Sequence, residues 1–306
     1  MKKINCLLVL VALAIFITNC NQTPANSNTV EEKAAENLSP ADTLSIIPMK
    51  IQQWTIYIPC SINGTQKEFV LDAEWKYHCI ESKYIQGLFD TTGHTITSNA
   101  NGFKTVLCNK QINFSFPNQT IKVDTIELLM HKEPDGFGII GSPLFDTSVV
   151  CLNFDNKKMY LTNKVPNDIE DYEELDYVIN TKDHRVVSLA FPSAEGQKVV
   201  KMLVDFGSPF SNLENHLKKI IAIDENKEDS LDLASILMSR SASIHYRRET
   251  TWTNSQNGQT DNPFERWGCN GVIGMDIISQ YNWIVDYKHN KLYYCPNGIY
   301  RENSHK

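Results

Sequence analysis

The sequence predicts a mostly-β chain built as two related halves with short helices, and three observations carry that reading. An apolar run ends on an aspartate twice, at Phe69-Val70-Leu71-Asp72-Ala73-Glu74 and at Met202-Leu203-Val204-Asp205-Phe206-Gly207-Ser208. Each is followed at the same distance by an apolar-apolar-Gly stretch, Ile139-Ile140-Gly141 and Val272-Ile273-Gly274, since 141 − 72 = 69 and 274 − 205 = 69. The period is therefore 205 − 72 = 133 residues, too long for a solenoid repeat and about the size of a small domain. A carboxylate delivered to a tight turn by an apolar run is costly unless something uses it.

Residues 1–19 read as a targeting segment. Lys2 and Lys3 precede a short apolar run, Cys6 to Ile17, too short to span a bilayer and suited to a signal peptide. Ile17-Thr18-Asn19-Cys20 resembles a bacterial lipobox, which implies lipidation of Cys20; an ordinary cleaved signal is the alternative. Export is expected either way, with lipid anchoring to a bacterial membrane on its periplasmic side or at the cell surface. From residue 20 to about Ile46 the composition turns to Asn, Thr, Ser, Pro, Ala and Glu, which reads as a solvated tether.

The remaining chain divides into a first lobe, 47–165, and a second, 166–300. In the first, Trp54 to Ile62 alternates apolar and polar residues, turns at Asn63-Gly64 and returns to Leu71 as a β-hairpin. A short helical stretch is expected near Glu81 to Phe89. Strands are expected over Gln111 to Phe116 and Ile121 to Met130, joined by Pro117-Asn118-Gln119. Asn163 to Asp176 is acidic and reads as a solvated crossover.

The second lobe repeats the hairpin, with Val186 to Phe191 and Val199 to Val204 on either side of Glu195-Gly196. Leu213, Leu217, Ile220 and Ile221 suit one face of a helix over Asn212 to Ala222, and Leu231 to Met238 suits another helical turn. Trp252 to Asn262 reads as a long loop. The terminal hairpins, Val149 to Asp155 with Met159 to Leu161 and Trp283 to Tyr287 with Leu292 to Tyr294, are expected to match with a two-residue slip. That slip makes Asp155 and Asp286 equivalent structural turn residues.

Without the signal segment the chain carries 27 basic and 36 acidic residues, so nucleic-acid binding through a basic face is not expected. Six cysteines lie beyond Cys20, an even number in an exported chain, which allows fifteen pairings. No C-x-x-C or H-E-x-x-H occurs and the histidines are scattered, so no metal or other cofactor is expected.

The two apolar-Asp stretches and the glycine strands that follow them resemble the aspartic protease superfamily, the retropepsin-like and pepsin-like peptidases. In that family an apolar-apolar-Asp-Thr/Ser-Gly-Ser/Ala motif stands in each lobe, and a later apolar-apolar-Gly strand crosses beneath it. The resemblance spans about residues 48 to 297 and implies a bilobal acid-protease-like fold. It also implies a cleft with Asp72 facing Asp205 as the catalytic dyad, a peptide or protein substrate, and a monomer. Asp205, Gly207 and Ser208 fit the motif, with Ser208 positioned to donate to Asp205, while Phe206 stands where the family has a hydroxyl. In the first copy only Asp72 fits: Ala73 lacks the hydroxyl, Glu74 replaces the glycine and Trp75 the small residue after it. Two functions follow as expectations, an exported hydrolase working through the dyad, or an inactive relative binding a peptide or protein in the groove with Trp75, Phe206 and Phe210 beside it.

Overall fold

In a computed structural model the first half runs through β1 (Thr43–Pro48), β2 (Lys50–Gln52), β3 (Thr55–Ile62), β4 (Thr65–Leu71), β5 (Cys79–Glu81) and β6 (Thr95–Ser98). It continues through β7 (Phe103–Phe116), β8 (Gln119–Leu129), β9 (Gly138–Ile140), helix α1 (Pro143–Thr147), β10 (Val149–Asn153) and β11 (Lys158–Thr162). The second half runs through β12 (Glu173–Ile179), β13 (Arg185–Ser193), β14 (Gly196–Val204), β15 (Asn212–Glu214), β16 (Ser230–Asp232), β17 (Ser243–Arg247) and β18 (Trp252–Thr253). After β19 (Thr260–Asp261) come α2 (Pro263–Trp267), β20 (Gly271–Ile273), α3 (Met275–Ile278), β21 (Tyr281–Asp286) and β22 (Lys291–Pro296). The structure describes residues 43–62, 64–81, 84, 95–98, 103–129, 137–193, 196–214, 217, 230–232, 243–247, 252–253, 260–261 and 263–299. The signal segment, Cys20 and most of the tether lie outside them.

Strand formation follows the sequence pattern closely in the hairpins. β3 alternates partly exposed and buried positions, so Ile56, Ile58, Cys60 and Ile62 all point inward. Gly64 closes the turn at a φ of 81°, where a side chain would strain the backbone. β7 and β8 form the expected long antiparallel pair, with Asn118 at a φ of 61° in its turn.

The duplication is a structural one. β4 lies parallel to β9 with Val70 beside Ile139, and β14 lies parallel to β20 with Leu203 beside Val272. Those residues are their own counterparts at the same period, 203 − 70 = 133 and 272 − 139 = 133. β5 and β15 then cross β9 and β20 antiparallel, pairing Cys79 with Ile139 and Asn212 with Val272. Between the halves β10 pairs antiparallel with β21, and Cys151 sits opposite Ile284. Because 284 − 151 = 133, that residue faces its own copy, and the two-fold relation passes through this pair. The central sheet there runs β1-β11-β10-β21-β22-β12, three strands from each half. Aromatic rings fill the core beside it: Trp283 meets Tyr281 edge-on at 6.0 Å and donates its indole N–H to the Ile278 carbonyl at 2.8 Å.

Several expectations need correction. The terminal hairpins do not slip: Asn153 pairs with Lys158 and Asp286 with Lys291, both pairs separated by 133. Asn153 Oδ1 accepts from the Asn156 amide as Asp286 Oδ1 accepts from the His289 amide. The counterpart of Asp286 is therefore Asn153. Asp155 instead ties the halves together, accepting from Asn282 Nδ2 at 2.8 Å and from the Gly298 amide at 2.7 Å. The length difference lies upstream, where Tyr57 pairs with Val70 but Val186 with Leu203, making the second hairpin four residues longer (17 − 13 = 4).

Thr43 to Ile46 belong to β1 rather than to a tether, because Ile46 and Ile47 pair with β11. Glu173 to Asp176 are likewise strand, held against β22 with Lys291 between Glu174 and Asp176. Asn212 to Glu214 and Ser230 to Asp232 are strands where helix was expected, and the rest of those two segments, apart from buried Leu217, lies outside the described residues. Trp252 pairs with Asp261, so the expected loop closes on a short ladder. Of Glu81 to Phe89 only Glu81, in β5, and Tyr84 are described. Cys60, Cys151 and Cys269 are thiols, each pushed up to about 12 by burial.

Candidate functional site

Asp72 and Asp205 stand immediately after β4 and β14, and each turn is built twice with the same bonds. The Asp72 amide donates to the Ile140 carbonyl and the Asp205 amide to the Ile273 carbonyl, both at 3.0 Å. Trp75 closes the first turn onto the Asp72 carbonyl at 3.3 Å, as Ser208 closes the second onto Asp205 at 3.2 Å. The Ser142 amide donates to the Trp75 carbonyl and the Met275 amide to the Ser208 carbonyl, both at 2.8 Å. A side chain then locks the crossing from below: the Gly141 amide donates to His78 Nδ1 at 3.0 Å, and the Gly274 amide to Ser211 Oγ at 2.9 Å. Gly141 and Gly274 are where chains cross, since a Cβ at either would sit within 2.6 Å of backbone oxygens. Residues 78 and 211 are also 133 apart. Extending the period to every polar pair would have found them from the sequence.

The carboxyls are held by amides. Asp72 Oδ1 accepts from the Glu74 amide at 3.0 Å and the Trp75 amide at 3.1 Å, and Asp205 Oδ1 accepts from the Gly207 amide at 2.8 Å. The two turns meet directly at Gly207, where a Cβ would lie 2.4 Å from Asp72 Cγ and Oδ2. Only glycine allows that approach. Gly207→Ala is expected to displace the Asp72 carboxyl and cost about 1–3 kcal/mol of stability, read by urea denaturation.

The residues that depart from the resembled motif, Glu74 and Trp75, are each held by partners of their own. Glu74, the counterpart of Gly207, reaches into the other half, where its Oε2 lies 3.3 Å from His184 Nδ1. Its Oε1 is buried and has no hydrogen-bond partner among the described residues. Trp75 is pinned within its own half, donating Nε1–H to Glu127 Oε2 at 2.5 Å while the Thr105 hydroxyl donates to Glu127 Oε1 at 2.6 Å. It packs against the buried pair Cys79 and Ile139.

Two expected roles are overturned. Phe206 does not line a groove; it is fully buried, stacked on Phe145 at 6.3 Å and edge-on to Trp283 at 6.1 Å. Ala73, its counterpart, is equally buried, so an apolar small-and-large pair occupies the positions of the family's two hydroxyls. Ser208 does not donate to Asp205, because its hydroxyl donates to the Phe210 carbonyl at 3.0 Å. Phe210 itself is exposed, as a groove residue would be.

Burial, then the neighbouring Glu74 charge, pushes the Asp72 carboxyl up to about 6 against the pull of its two amide donors. Asp205 is raised well above the ordinary carboxylate range, chiefly by burial and then by the charges of Asp72 and Glu74. The pair is thus arranged to hold one proton over a broad pH range. Burial drives His78 the other way, down to about 3, so it serves as a neutral acceptor for Gly141. No group of three or more His, Cys, Asp or Glu among the described residues is arranged to hold a metal ion.

No protein-family model matches the chain, and no curated protein matches its sequence. Among solved structures its fold is similar to the crystal structure of an aspartic proteinase from Irpex lacteus, with a TM-score of 0.56. That likeness covers 85% of this chain and 99% of that chain at 9% sequence identity. The architecture is an aspartic-proteinase-like, mostly-β fold with few short helices.

Proposed function

We propose that the chain is an aspartic peptidase-like hydrolase whose dyad is Asp72 and Asp205. The observation that carries this reading is the contact of Gly207 with the Asp72 carboxyl, which brings two identically bonded aspartate turns face to face. In such a pair the ionised carboxylate takes a proton from a water held between the two, and the attacking oxygen adds to the peptide carbonyl carbon. The protonated partner donates to the carbonyl oxygen, so charge does not accumulate there. Both carboxyls are raised, so the pair keeps one proton, one carboxyl serving as base while its partner holds the proton. Uptake of a second proton silences the pair, so the raised carboxyls place the acid limb of activity above the usual carboxylate range. Incubating the full chain with a mixed peptide library and reading new peptide ends by mass spectrometry tests the reading; wild-type protein should generate ends that Asp205→Asn does not.

A second reading is favoured by Glu74, which adds a third carboxylate to a pair that must already share one proton, and by the Ser208 hydroxyl, which donates to the Phe210 carbonyl and not to Asp205. In that reading the chain is a catalytically silent relative that holds an extended peptide by strand pairing, with Phe210 exposed beside the site.

The same proposal places the protein outside the cytoplasm, tethered through lipid on Cys20. Cys20→Ser is expected to move the protein from the membrane fraction to the soluble fraction, as read by fractionation and by incorporation of labelled fatty acid. Retention of both label and membrane association in that variant would remove Cys20 as the anchor.

A further inference from the structure

Glu74 is the most unusual residue of the site, because its counterpart across the two-fold is the glycine that touches Asp72. An acidic side chain there could have turned to solvent. Instead it is held against the aspartates from the opposite half of the molecule: its side chain is only 11% exposed, with Oε2 3.3 Å from His184 Nδ1 and Oε1 buried without a partner among the described residues. His184 is itself fixed by the turn between β12 and β13, where its amide donates to Asn180 Oδ1 at 3.1 Å.

We propose that Glu74, anchored by His184, is a positioning residue that sets the pH range over which Asp72 and Asp205 hold a single proton between them. Asp72 and Asp205 face Glu74 from the two aspartate turns, and the buried hydroxyls of Tyr177 on β12 and Tyr287 after β21 and the buried Cys269 thiol feel its charge. Arg185 on β13 is a cation whose charge reaches the same two tyrosine hydroxyls. It is occupied elsewhere, donating to Asp146 at 2.8 Å and stacking over the Tyr287 ring at 3.9 Å. A like charge in a poorly solvated place disfavours ionising a second carboxyl. Asp72 and Asp205 both feel that charge.

The catalytic consequence rests on the hydrolase reading, but the proton-holding effect does not, so the two are separable by experiment. The Asp72 carboxyl is titrated by carbon NMR in the full chain, as wild type, Glu74→Gln and His184→Ala, with the pH profile of peptide cleavage measured in parallel. Glu74→Gln is expected to lower the Asp72 midpoint by roughly one pH unit. His184→Ala should lower it in the same direction by less, and any cleavage profile should move its acid limb with the midpoint. A purely structural Glu74 would leave both unmoved, and a cooperatively folded Glu74→Gln with an unchanged midpoint overturns the proposal. If Glu74→Gln fails to fold, Glu74→Gly, which installs the counterpart residue, is read in the same way. A lowered midpoint without cleavage in any variant supports the role of Glu74 and removes the hydrolase reading; cleavage with an unmoved acid limb does the reverse.

Discussion

Asparagine in place of Asp205 is expected to lower peptide cleavage by at least about 10³-fold while raising the melting temperature at pH 7. The two effects share a cause. A carboxyl whose folded-state pKa is raised stabilises the fold fully only below its unfolded value, and that contribution disappears as pH rises through the folded value. Asp72 moves from 3.8 to about 6, and Asp205 rises further, so the native state loses stability from about pH 4 upward on their account. For Asp72 alone the loss is on the order of 2–3 kcal/mol by pH 7. Asparagine has the same shape and no charge to desolvate, so either substitution should recover part of that loss, about 5 °C in melting temperature. The gain should vanish near pH 4. Because the carboxyls are coupled, the double variant should gain less than the sum of the singles. His78 works with the opposite sign: its folded-state pKa is lowered from 6.5 to about 3, so its contribution is present above about pH 6.5 and is lost as pH falls. Between about pH 4 and pH 6 the two raised carboxyls outweigh the one lowered histidine, so wild-type stability should peak near pH 4 and fall above it, and calorimetry from pH 3 to pH 8 reads both slopes. A pH-independent difference between wild type and Asp205→Asn would show that Asp205 is not a buried, raised carboxyl.

Phe206→Thr, which installs the hydroxyl residue of the resembled motif at that position, is expected to destabilise the protein by about 3–4 kcal/mol. Phe206 is fully buried between Phe145, from the first half, and Trp283, from the second. Truncation leaves a cavity at the junction, and the new hydroxyl faces an apolar neighbourhood that includes Ala73. Ala73→Thr adds volume to a packed site and does not compensate unless Phe206 is removed with it. Urea denaturation with an unchanged m-value reads the effect. A loss under about 1 kcal/mol would mean that the aromatic stack does not join the halves.

Much of this was legible because the duplication is regular. Two aspartates and two glycines with equal separations determined the repeat, and the alternation in β3 with the Asn63-Gly64 turn after it determined a hairpin. Neighbours at the end of an extended strand face opposite ways, so an Asp205 turned into the site sends Phe206 into the core. Leu213 and Leu217 are both buried, yet a four-residue apolar spacing over so short a stretch fits a strand and the loop after it as well as a helix. Asp155 was matched to Asp286 by residue type; the backbone counterpart is Asn153, with Lys157 and Asn290 at φ values of 54° and 56° marking the same turn. The pairing of Glu74 with His184 joins residues 110 apart and depends on how the two halves come together, which local pattern does not encode.

The most direct measurement of the central claim is a crystal structure of the protein near pH 6, at a resolution that shows ordered water. The account predicts one solvent molecule within hydrogen-bonding distance, about 3 Å, of both Asp72 and Asp205, with Glu74 turned toward His184 and Trp75 bonded to Glu127. Asp72 and Asp205 too far apart to share that water, with the Glu74 side chain between them, would contradict it.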